Sequence, residues 1–102
     1  MAAQKNFAVE TSYINEWAGV VGCSLSVPVH VSEQMRRQGF DLCDVHHVLS
    51  IGEVIDSDMI DHCGLWVVCG ETLDGDVMET TLRVVANEYE VELINIARVR
   101  RR

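Results

Sequence analysis

The sequence predicts an α+β domain in which N-terminal helices pack on an antiparallel sheet of about four strands. Three observations carry that expectation. Through residue 51, apolar residues recur at helical spacings of three and four between capping residues. Gly39 and Gly52 stand where two of those helices should stop. From residue 53 onward the chain turns to β-branched residues and alternation around an Asp-Gly turn.

Taken in order, residues 1–9 read as a flexible arm whose Phe7 and Val9 are its apolar members. Residues 10–27 read as an extra helix and linker. Thr11 or Ser12 suits the N-cap, and Tyr13, Ile14, Trp17, Ala18 and Val21 form one stripe that ends near Gly22. Residues 28–52 read as a helix hairpin. Pro28 holds Val27 extended and suits a helix start, and Val31 and Met35 face inward. Gly39 takes the left-handed stop, and Asp41 caps the next helix with Asp44 at N3. Phe40 and Val45 form a hydrophobic staple, and Leu42, Val45, Val48 and Leu49 form the buried stripe. Residues 53–99 read as the sheet: a short strand at 53–56, a polar loop at 57–63, then strands at 65–72, 78–86 and 90–99. Leu73-Asp74-Gly75-Asp76 is the clearest turn. In the last strand two alternating apolar sets overlap, so either face is open to the core. Residues 100–102 are a basic tail.

The 102 residues, 48% of them hydrophobic and 24% charged, suit one domain with a single core. No apolar run approaches the roughly 20 residues that cross a bilayer, and the N-terminus lacks the order of a signal peptide, so the expectation is a cytoplasmic protein without a membrane role. Cys23, Cys43, Cys63 and Cys69 form no C-x-x-C pair and are expected as reduced, mostly buried thiols. The 16 acids all precede residue 93, whereas four of the eight basic residues fall at 98–102, leaving −12 on residues 1–97. Such a body repels nucleic acid, a polyanion held by clustered Lys and Arg. Asp56, Asp58, Asp61, Asp74, Asp76 and Glu79 instead suggest either a solvated face or a binding face for a basic protein.

The run H-V-S-E-Q-M-R-R-Q-G-F-D-L-C-D-V-x5-I-G-E-V-I-D from His30, with V-V-C-G-E-T-x-D-G and L-R-V-V later, resembles domain-of-unknown-function family 4258 over about residues 29–99. That resemblance implies a fold like those of the RelE, ParE and MqsR toxins of toxin–antitoxin systems, many of which cut messenger RNA. His30, Glu33 and Met35 match the family's His, Glu and Met, whereas Gln34 and Gln38 stand where it carries Arg. A metal-independent endoribonuclease needs a base, an acid and cations on the phosphate, which on this chain would be His30, Glu33, Arg98 and Arg83.

The residues also offer one metal-type cluster. Cys43, His46 and His47 share a helix at i, i+3 and i+4, and His62 and Cys63 could add ligands, yet the spacing fits no zinc motif. No cofactor motif is present, since the glycines form no phosphate-cradling loop. Three functions follow: a diverged toxin-type ribonuclease, active or inactive, with an antitoxin partner; an acidic, anti-CRISPR-like inhibitor that occupies a basic nucleic-acid-binding surface; or a non-catalytic structural homodimer.

Overall fold

The structure, a computed structural model, describes residues 6–21 and 25–99. Three helices, α1 (Ala8–Val21), α2 (Val29–Gln38) and α3 (Leu42–Ile51), precede four strands, β1 (Glu53–Ile60), β2 (Cys63–Glu71), β3 (Val77–Val85) and β4 (Glu90–Val99). The strands form an antiparallel meander in the order β1-β2-β3-β4. All three helices lie on one face of it, which confirms the expected α+β class. Among the described residues, no helix is long and apolar enough to cross a membrane.

Local chemistry accounts for the helix ends. The Asp44 amide donates to Asp41 Oδ1 (2.9 Å) and the Asp41 amide to Asp44 Oδ2 (3.1 Å), so α3 opens with a complete capping box. Gly39 sits at φ 76°, the left-handed conformation that ends α2, and its amide and that of Phe40 close on Arg36 O and Met35 O. Pro28, at ψ 154°, is the N-cap of α2 and lies outside the helix. The first helix begins earlier than expected, because Asn6 Oδ1 accepts from the Ala8 amide (2.9 Å) and caps it. Ala8 and Val9 therefore belong to α1, not to an arm. Thr11 is no cap; its Oγ1 accepts from the Val54 amide at 2.9 Å and ties α1 to β1.

The core lies between the helices and one sheet face. Ile14, Trp17 and Ala18 of α1, Val31 and Met35 of α2, and Val45, Val48 and Leu49 of α3 meet Trp66, Val68, Met78, Leu82, Val84 and Leu93. Leu42 is a correction to the expected stripe: at the first position of α3 it is 54% exposed. The cysteines are another. Cys43 and Cys63 are exposed and Cys69 is half-buried, because the first lies on the outer side of α3 and the others point away from the helices. Cys23 and the tail at 100–102 lie outside the described residues.

The segment 57–63 is not a loop. β1 continues to Ile60, and only Asp61 and His62 turn, with Asp61 at φ 58°. The polar Ser57 and Asp58 suggested a loop, but they pair with Trp66 and Leu65 across the hairpin. The ambiguity in the last strand is resolved by a bulge. Thr81 pairs with Asn95 but Leu82 with Leu93, so Ile94 is the extra residue. One inserted residue reverses the in–out alternation. Accordingly Val91 and Leu93 are buried before it and Ile96 after it.

The bulge also has a buried partner. Thr80, fully buried, donates from Oγ1 to Asn95 O (3.2 Å). Thr80→Val keeps the shape and removes that donor, so urea unfolding should register a loss of about 1 kcal/mol. An unchanged midpoint would mean that the carbonyl has another partner.

Candidate functional site

Among the described residues no helix lies on the outer face of the sheet, and the ladder register states what stands on it. Directly paired residues share a face. Opposite the core, Glu53–Cys69–Glu79–Ala97 form one row across the four strands, and Asp56–Val67–Thr81–Asn95 form the next. Asp58–Leu65–Arg83–Glu92 follow, then Ile60–Cys63–Val85–Glu90, with Glu71, Val77 and Val99 at the far end. Leu65 and Val67 thus give β2 an apolar centre, β3 adds Glu79, Thr81 and Arg83 beside it, and carboxylates line both margins. Arg83, the one cation on this face among the described residues, is already paired, with its Nη2 2.6 Å from Glu92 Oε1.

The thiol of Cys69 reports on this arrangement. Burial pushes its pKa above the ordinary 9.0, and Glu79 and Glu53 push it further by disfavouring a second negative charge beside them. A folded state that raises this pKa is favoured while the thiol is protonated. That contribution is complete below the ordinary thiol value and is lost as pH climbs through the raised one. Iodoacetamide at pH 8.5 should therefore modify exposed Cys43 and Cys63 well before Cys69, and Glu79→Gln should speed modification of Cys69. Equal rates for all three thiols would contradict the row assignment.

The residues expected to cut RNA are not brought together. His30 lies exposed in the first turn of α2. Glu33 is exposed on the same helix and faces Arg37 Nη2 at 3.7 Å. Arg83 is on the outer sheet face with Glu92. Arg98 is at the opposite end of α2 from His30, about 12 Å along the axis, where it donates to Gln38 O. Its guanidinium lies 4.6 Å from the centroid of Phe40 and its Nη1 2.6 Å from Asp76 Oδ2. This side chain ties the α2–α3 turn to the β2–β3 turn, engaged by Gln38 O, Phe40 and Asp76.

Gln34 and Gln38, at the two positions where the resemblance leads one to expect arginine, close the β4 edge. Gln38 Nε2 donates to Ile96 O (3.0 Å) and its Oε1 accepts from the Arg98 amide (2.9 Å), while Gln34 Oε1 accepts from the Ile96 amide (3.4 Å). Ser26 covers the same edge nearer its start, donating to Val91 O and accepting from the Leu93 amide.

The metal-type candidates also divide. Cys43, His46 and His47 line a groove on α3 with Leu25 and Leu73, whereas His62 and Cys63 sit at the β1–β2 turn. Leu73 and Cys63 flank opposite ends of β2, a strand about 27 Å long. Among the described residues no group of three or more His, Cys, Asp or Glu is placed to hold a metal ion.

The expected acidic face is split as well. Asp56, Asp58 and Glu79 stand on the outer sheet face, Asp61 and Asp74 are in turns at opposite ends of β2, and Asp76 is engaged by Arg98. Glu53, Glu71, Glu90 and Glu92 join the face without having been expected there. Counting outward from the Asp-Gly turn would have found Glu71, since Glu71 pairs with Val77. No protein-family model, curated protein or solved structure matches the chain.

Proposed function

We propose that this protein is a non-catalytic binding module that presents the open sheet face to a basic protein surface, in the manner of an inhibitor that occupies a nucleic-acid-binding site. The observation that carries the reading is the outer face itself, with Leu65 and Val67 at its middle, carboxylates along both margins and Arg83, its single cation among the described residues, neutralised by Glu92. Residues two apart along a strand are about 6.6 Å from each other, so Asp56 and Asp58 on one margin and Glu90 and Glu92 on the other lie inside the ~8 Å screening length of physiological salt. Their potentials therefore add, which favours fast, salt-sensitive capture of a positive partner. The strand lengths and spacing give a face of roughly 20 by 27 Å. With a rim of turns, that approaches the roughly 800 Å² per partner of an ordinary protein interface.

The ribonuclease alternative has less support, because His30 and Glu33 lie far along α2 from Arg98, and both sheet arginines are held by carboxylates. The test uses affinity purification, then titration of the recovered partner. The combined variant Asp56→Asn, Asp58→Asn, Glu79→Gln should weaken binding at least tenfold and flatten its salt dependence, while expression of the native protein leaves messenger RNA intact. Growth arrest relieved by His30→Ala would overturn the proposal.

A further inference from the structure

We infer that the β1 edge of the sheet binds an extended segment of the partner, with basic and apolar residues in alternation, as an added fifth strand. The inference rests on the acidic-face reading and names how the partner docks.

The two edges of the sheet are treated differently. The β4 edge is closed by Ser26, Gln34 and Gln38. On the side of β1 away from β2, among the described residues, the Val54 amide alone is held by another element, through Thr11 Oγ1. Beyond it the bulge at Ile55 moves the outward-pointing backbone groups to Ser57 and then Met59. Among the described residues the Ser57 amide donates only to the carboxylate of its neighbour Asp56, at 3.0 Å. An exposed carboxylate gives way readily to an incoming carbonyl, so the edge from Asp56 to Ile60 can accept a strand.

The occupant is set by what borders this edge. Side chains of an added strand opposite Asp56 and Asp58 would lie on the acidic outer face, where Lys or Arg are favoured. Those opposite Ser57 and Met59 would lie on the helix side. There, at the Glu53 end of the same edge, a groove of about 790 Å³ runs between the first turn of α1 and β1, lined in part by Phe7, Thr11, Val54 and Ile55. Phe7, Val54 and Ile55 give it an apolar wall alongside the polar Asn6, Ser12 and Glu53, so an apolar side chain with a polar neighbour suits it. A second copy of β1 is disfavoured, because antiparallel pairing centred on Ser57 would set Asp56 of each chain opposite Asp58 of the other.

The probe is a nine-residue fluorescent peptide alternating lysine and valine, compared with one of identical composition arranged as a lysine block and a valine block. Fluorescence anisotropy should give at least tenfold tighter binding for the alternating peptide, and amide exchange should show new protection at Ser57 and Met59 of the intact protein. Ser57→Pro removes an edge amide that the sheet does not use, so it should keep the melting temperature and lose at least tenfold in affinity. If both peptides bind alike, protection at Ser57 and Met59 is unchanged, and affinity still falls on Asp56→Asn with Asp58→Asn, strand addition is wrong and the acidic-face reading stands. If neither peptide binds, or neutralising those acids changes nothing, both fall.

Discussion

Gly52→Ala should destabilise the protein by about 3 kcal/mol or more, lowering the thermal midpoint by about 12 °C or more. The cause is close approach, since the backbone at Gly52 is extended and open to any residue. A Cβ there would lie 2.5 Å from Val48 O, 2.8 Å from Cys69 O and 3.1 Å from Val68 Cγ1. Two of these atoms are backbone, one in the last turn of α3 and one in β2, so relief requires moving the helix off the sheet. Gly70 faces the same contact, and a Cβ on it would come within 3.0 Å of Gly52 Cα. The paired glycines set the distance at which α3 can turn directly into β1. Gly19 supplies the control. It is exposed in α1, and a Cβ there meets nothing within 4 Å, so Gly19→Ala should stabilise by about 0.5 to 1 kcal/mol through helix propensity. Calorimetry of the two variants should move in opposite directions, and a tolerated Gly52→Ala would show that α3 can shift on the sheet.

Gln38→Arg should cost about 2 kcal/mol, although it restores the residue type that the resemblance leads one to expect. Gln38 works as a short piece of strand, offering a donor to Ile96 O and an acceptor to the Arg98 amide. Arginine has donors only, so the Arg98 amide would lose its partner, and a second guanidinium would crowd that of Arg98, which already donates to Gln38 O. Gln38→Glu keeps the acceptor beside a cation and should lose less. Denaturant midpoints for the two variants check the order. A reversal would mean that the Ile96 carbonyl, not the Arg98 amide, is the group that needs covering. The same variants open the β4 edge, so Gln38→Arg should also raise the tendency to self-associate at high concentration.

These predictions separate roles that look alike in the sequence. Arg98 looked like a cation for a phosphate, because it is basic and near the last strand. In the fold it stacks on Phe40 and pairs with Asp76, residues 58 and 22 positions away in sequence. His30 and Glu33 share a helix face as expected from a spacing of three, yet a catalytic set needs the sheet arginines too, and those belong to other faces. The tail after Val99 adds positive charge in the sequence and lies outside the described residues.

What the sequence determined by itself is whatever depends on neighbours within about four residues. The Asp41–Asp44 capping box, the left-handed stop at Gly39, the Asp-Gly turn and the inward residues of α2 are all of this kind, because each hydrogen bond or contact closes over a short stretch of chain. What only the tertiary structure decided is which residues face the same way across strands. The bulges at Ile55 and Ile94 each add one residue, and one residue exchanges the two faces of a strand, so alternation alone could not say that Ile96 is buried or that Asp56 and Asp58 stand beside Val67 and Leu65. Ladder register, set jointly by the core packing of Trp66, Leu82 and Leu93 and by Gln34, Gln38 and Ser26 along one edge, is what gathers Glu53, Glu79 and Glu92 from separate strands onto the open face.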